Sequence, residues 1–126
     1  MPRVSPRICL IDDDIYVRDS LALGLRDAGY EAVTAPGAVA GLDIVTHNSV
    51  HAIVTDMNMP GTGGAELIAQ ARATWPDIAI VAITGAAAVD GRNVSDIATE
   101  RGADAVLIKP FRVAELVALM ARLLAD

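Results

Sequence analysis

Short apolar runs recur along this chain at even intervals, and between them apolar residues return every three or four positions. Arg7–Ile11, Glu31–Thr34, Ala52–Thr55, Ala79–Ile83 and Ala105–Ile108 are brief, rich in aliphatic and β-branched residues, and read as five strands. Helical spacing fills the gaps at about Tyr16–Ala28, Ala38–His47, Gly64–Trp75, within Arg92–Arg101, and at Arg112–Ala125. The first helix carries Val17, Leu21 and Leu25 on one stripe and stops at Gly29, a residue suited to the left-handed backbone that closes helices. Pro76 and Gly102 punctuate the third and fourth. Runs such as AIVTD and IAIVAIT are apolar on both faces, as a parallel sheet covered by helices on each side requires. The expected fold is therefore α/β: a (βα)5 doubly wound, five-stranded parallel sheet. Its functional crevice should open at the carboxyl ends of the strands.

At 126 residues the chain is long enough to bury a core without disulfides, and residues 1–126 read as one domain. No apolar run reaches the roughly 18 residues of a membrane span, and the amino terminus lacks the features of a secretory signal, so a soluble, cytoplasmic protein is expected. A net charge of −6 without a Lys/Arg cluster argues against direct nucleic-acid binding. The single cysteine, Cys9, sits among aliphatic neighbours and reads as a buried hydrophobe. The ten basic residues include one lysine, Lys109.

Chemistry concentrates where the strands end. The first strand runs into Asp12, Asp13 and Asp14, the third into Asp56, the fourth into Thr84 and the fifth into Lys109. Carboxylates gathered on one rim repel one another unless a cation joins them. Oxygen donors without histidine or cysteine select a hard ion, and so few protein ligands suit Mg²⁺ shared with a phosphate. Phosphoryl transfer needs an in-line nucleophile, a metal and fixed donors. Asp56 can serve as nucleophile, Asp13 and Asp56 as metal ligands, and Lys109 and Thr84 as contacts to phosphoryl oxygens. Each residue also has a plainer use: Asp14 reads as the cap of the first helix, Asp56 as a turn residue, and Thr84 as a strand end. Those separate uses do not account for all of them arriving together with the only lysine. His47 and His51, in the polar HNSVH segment, read as turn residues rather than a metal pair.

These residues resemble the receiver domains of bacterial two-component response regulators, the chemotaxis-regulator type included, over essentially the whole chain. LIDDDIYVR resembles the acidic pair, TDMNMPGTGG the phosphoacceptor loop, AITG the hydroxyl position, and GADAVLIKPF the fifth strand with its Lys-Pro. The resemblance implies a flavodoxin-like strand order 2-1-3-4-5 and Asp56 as phosphoacceptor, with Lys109 and Thr84 as its catalytic companions. It implies Mg²⁺ held by Asp13 and Asp56 directly, by Asp12 mainly through water, and by the backbone carbonyl of Asn58. It further implies a cis Lys109–Pro110 bond, Gly64 joining the loop to helix three, and a histidine kinase or histidine phosphotransfer protein as donor. The helix 4/strand 5/helix 5 face would then switch toward a downstream target or output domain that the residues do not identify, or form a dimer. A catalyst of its own phosphorylation and dephosphorylation only, the chain would not be an enzyme in the usual sense.

Two features depart from that family. Val106 stands where an aromatic residue is frequent, and GAAAVDGRNVSDIATER is about three residues longer than usual, judged against ordinary loop lengths. Gly85, Ala86, Ala87 and Gly91 suggest a mobile loop there. These departures motivate an alternative, a receiver-like module acting mainly by constitutive protein contacts. An aspartyl-phosphate hydrolase ranks behind both, because Asn58 occupies the place of its second aspartate. Met1 fits a stand-alone receiver or the amino-terminal receiver of a longer protein.

Overall fold

All five apolar runs pair side by side in the computed structural model, which describes residues 5–58, 63–85, 88–89 and 92–125. In chain order the elements are β1 (Arg7–Ile11), α1 (Ile15–Asp27), β2 (Glu31–Ala35), α2 (Ala38–His47), β3 (Ala52–Asp56) and α3 (Gly64–Thr74). There follow β4 (Ala79–Thr84), β5 (Ala88–Val89), β6 (Arg92–Asn93), α4 (Val94–Arg101), β7 (Ala105–Ile108) and α5 (Val113–Leu123). The main sheet has the order β2-β1-β3-β4-β7 with every pairing parallel. Counting only its own strands, this is the expected 2-1-3-4-5.

Alternation along each strand sends neighbouring side chains to opposite faces, and the core divides accordingly. Ile8, Leu10, Val54, Val81 and Ile83 pack with Leu21 and Leu25 of α1 and Leu116 and Met120 of α5. Cys9, Ile11, Ile53, Ile80 and Ala82 face Val45 of α2, Leu67, Ile68 and Ala71 of α3, and Ala98 of α4. Each fully buried Leu or Ile contributes about 2 kcal/mol. Both faces therefore hold β1, β3 and β4 in place, and the residues just beyond those strands inherit that rigidity.

Helix ends follow local chemistry. Asp14 caps α1, its side chain accepting from the amides of Tyr16 (2.9 Å) and Val17 (3.3 Å). Gly29 and Gly102, with φ of 99° and 119°, leave α1 and α4 in left-handed backbone. Strand and helix limits differ from the sequence reading by a residue or two, the usual consequence of frayed ends. The longer segment before α4 differs more: it contains the antiparallel β5–β6 hairpin, with Ala88 opposite Asn93 and Val89 opposite Arg92. Ala86, Ala87 and Gly91 lie outside the described residues.

Of the described α4 side chains, Ala98 alone is fully buried. The end of α4 is instead clasped by Arg72 of α3. Its Nε donates to the carbonyl of Gly102 at 3.0 Å, and one terminal nitrogen to the Asp104 carboxylate at 2.7 Å. The other donates to the carbonyls of Pro76 (2.7 Å) and Ile78 (2.8 Å).

Candidate functional site

β1 delivers its acids directly. The Asp12 amide donates to Ala35 O at 3.2 Å, extending the pairing with β2 by one step, so the Asp12 side chain enters the interior beside the sheet. Its Oδ1 accepts from the Asp14 amide at 2.9 Å. Its Oδ2 is buried and has no hydrogen-bond partner among the described residues; the Lys109 ammonium lies 3.9 Å away. Asp13 is exposed on the rim.

Asp56 closes β3 and is 5% exposed. The Asn58 amide donates to its Oδ1 at 3.1 Å, and Lys109 Nζ sits 3.4 Å from its Oδ2. A Cβ on Gly64 would come within 2.6 Å of both Asp56 O and Met57 Cα, so only glycine lets α3 start this close to the phosphoacceptor candidate. Thr84 is buried at the end of β4, one register step beyond Ile83, the partner of Asp56. The Lys109 amide donates to Thr84 O at 2.8 Å, tying the two strand ends together, and the Lys109–Pro110 bond is cis.

Asp12, Asp13 and Asp56 each place a carboxylate oxygen within 4.8 Å of the others. Like charges about 4 Å apart repel by roughly 4 kcal/mol at an effective dielectric constant near 20. Lys109 supplies one positive charge against three negative ones. Burial is the chief force pushing the Asp12 carboxyl above its usual range, and the charges of Asp56 and Asp13 push the same way; the Asp14 amide and Lys109 oppose them. An all-oxygen donor set with an unpartnered buried oxygen and excess negative charge fits a hard divalent cation. Among the described residues no other cluster could hold a metal.

His47 and His51 serve local contacts instead. His47 Nδ1 is 2.9 Å from Asp43 O, and His51 Nδ1 accepts from the Arg7 amide at 3.0 Å. Trp75 caps the far end of α3, about 16 Å of helix from the Asp56 loop, and packs partly buried against the core. Burial pushes the Cys9 thiol up to about 12, consistent with an inert core residue. One contact was not read from the sequence: Arg18, the last residue of the LIDDDIYVR segment, donates to the backbone carbonyl of Asp12 at 3.0 Å.

With this geometry in view, comparison with known proteins is specific. The model of the response regulator receiver domain family matches residues 8–121. The transcriptional regulatory protein PrrA of Mycobacterium tuberculosis (strain ATCC 25618 / H37Rv) is 40% identical over 120 residues, which cover 95% of this chain and 50% of PrrA. The chain spans about half the length of the curated relatives it matches. A CheY-like response regulator receiver domain protein from Methanospirillum hungatei JF-1 is similar in structure, with a TM-score of 0.87 and 28% identity over 94% of this chain and 93% of that one. A response regulator protein from Burkholderia pseudomallei, solved with a phosphorylated aspartic acid, a calcium ion and citrate, has a TM-score of 0.81 and 28% identity over 90% of this chain and 65% of that one.

Proposed function

Because this chain belongs to the response regulator receiver domain family, we propose that it accepts a phosphoryl group on Asp56 from a histidine kinase or histidine phosphotransfer protein and signals by switching a partner surface. The observation that carries this reading is the convergence of Lys109 on Asp56 and Asp12 at 3.4 and 3.9 Å. The phosphorylated aspartate of the Burkholderia pseudomallei relative supports it.

In the proposed reaction a carboxylate oxygen of Asp56 attacks the phosphorus of a phosphohistidine. A P–O bond forms, the P–N bond breaks, and its electron pair stays on the imidazole nitrogen, which takes up a proton. Asn58, through its amide, holds the Asp56 carboxylate in place. Lys109 and Thr84 would bind the phosphoryl oxygens as charge spreads over them. Mg²⁺, held by Asp13 and Asp56, by Asp12 through water, and by the Asn58 carbonyl, would supply the remaining charge neutralisation.

Residues 1–126 would act as one cytoplasmic receiver unit. Its output face would be α4, β7 and α5, where β7 is an edge strand and Ile108 is half exposed. A downstream protein, an attached output domain or a second copy would read that face. The net charge of −6 argues against this chain itself binding nucleic acid. A second reading, a module working mainly through constitutive contacts, draws on the β5–β6 hairpin and on Val106. Phosphate-affinity electrophoresis with acetyl phosphate and Mg²⁺ separates the two. The phosphoacceptor reading expects a retarded band for the wild type and none for Asp56→Asn, whereas identical traces favour the constitutive module.

A further inference from the structure

Arg18 sits four residues into α1, its amide bonded to the carbonyl of the capping Asp14 at 2.9 Å, and its guanidinium turns back to the strand end. There it donates to the carbonyl of Asp12 at 3.0 Å. That carbonyl belongs to the peptide joining Asp12 to Asp13. The Asp12 amide is held by Ala35 O, its side chain by the Asp14 amide, and its carbonyl by Arg18, so all three handles of the residue are fixed. Asp13, by contrast, is exposed on the rim. The orientation of the Asp12–Asp13 peptide thus sets the direction in which Asp13 leaves the chain. A cation so near a helix amino terminus is disfavoured by the helix dipole, a cost that the bond to Asp12 offsets.

We propose that Arg18 is a positioning residue for cation binding, fixing the Asp12–Asp13 peptide so that Asp13 presents its carboxylate to the pocket shared with Asp12 and Asp56. The inference rests on the reading of that pocket as a Mg²⁺ site. Groups behind the ligands commonly govern metal affinity by orienting them. The sign of the effect distinguishes this role from a purely electrostatic one. Removing a positive charge beside an acidic pocket should strengthen attraction for a divalent cation, whereas losing the positioning bond should weaken binding.

Isothermal titration of Mg²⁺ into the wild type, Arg18→Ala and Arg26→Ala tests it. Arg26 is the matched control: it lies on the same helix and donates to Ala32 O at 2.8 Å, away from the pocket. The expected result is a dissociation constant raised about tenfold or more in Arg18→Ala, and unchanged or slightly lowered in Arg26→Ala. Thermal unfolding in chelator checks that the variants are folded; Arg18→Met, which keeps the aliphatic stem, replaces the alanine variant if that fails to fold. Phosphorylation of the Arg18 variants should return to the wild-type rate at saturating Mg²⁺. Equal or tighter Mg²⁺ binding in Arg18→Ala or Arg18→Met overturns the proposal while leaving the functional reading intact. Absence of Mg²⁺ binding in the wild type removes both.

Discussion

Lys109 and Asp56, 53 residues apart in the chain, meet with Nζ 3.4 Å from Oδ2. The contact exists because β3 and β7 flank β4 in one parallel sheet, so the residues ending each strand share a rim. The only lysine of the chain thereby becomes the counter-ion of the most buried acids among the described residues, Asp12 and Asp56.

Replacing that lysine separates its two uses. Lys109→Met should slow phosphoryl transfer to Asp56 about 100-fold, the typical loss of one fixed donor in a transition state. Mg²⁺ binding should persist, because the substitution removes a competing cation. Rates of phosphoryl incorporation at saturating Mg²⁺, alongside a Mg²⁺ titration, provide the check; weakened metal binding with an unchanged saturated rate would contradict the assignment.

Stability of the metal-free protein should depend on pH through Asp12. Its folded carboxyl is raised above the usual value of 3.8, chiefly by burial. The folded state therefore keeps this proton to higher pH than the unfolded chain. The contribution of Asp12 is fully present below 3.8, declines as pH rises through the elevated folded value, and is lost above it. Asp12→Asn, which can still accept from the Asp14 amide, should melt higher than the wild type in chelator once the pH exceeds that elevated folded value. The gap should close at acid pH, and Mg²⁺ should narrow it by stabilising the wild type. Thermal melts across pH, with and without Mg²⁺, measure this.

Much of this arrangement was legible in the chain because it depends on local signals. Doubly apolar runs identify the parallel strands, Asp14 and Gly29 mark the ends of α1, and strand-end chemistry marks the rim. The β5–β6 hairpin was not legible: two residues per strand are too few to show alternation, and small residues there look like loop. The contacts of Arg18 and Arg72 escaped for another reason. Both arginines donate to backbone carbonyls, which every residue has, so no residue type at the receiving end signals the bond. The Arg72–Asp104 pair also spans 32 residues and depends on the packed positions of α3 and β7.

Gly64→Ala should destabilise the protein by about 2 kcal/mol, because the added methyl meets backbone of Asp56 and Met57 rather than a movable side chain. The same shift displaces the Asp56 carboxylate, so phosphorylation should fall further than stability alone explains. Urea denaturation beside phosphorylation assays of the folded variant resolves the two; an unchanged midpoint would show that α3 can start elsewhere.

Arg72→Ala should cost roughly 2 kcal/mol. The half-exposed pair with Asp104 supplies the smaller part and the bonds to Gly102, Pro76 and Ile78 the larger. Since only Ala98 is fully buried among the described side chains of α4, its amides should exchange with solvent markedly faster in the variant than those of α3. Hydrogen exchange resolved by segment detects this, and uniform acceleration across the sheet would instead mean that the clasp supports the whole fold.

The most direct test is to locate the phosphoryl group. After incubation with acetyl phosphate and Mg²⁺, borohydride reduces an aspartyl phosphate to homoserine, which peptide mass spectrometry can place. Homoserine at position 56, dependent on Mg²⁺ and missing from Asp56→Asn, is the predicted result. Modification confined to another residue, or none at position 56 in protein shown to be folded and metal-bound, would contradict the assignment of Asp56 as phosphoacceptor.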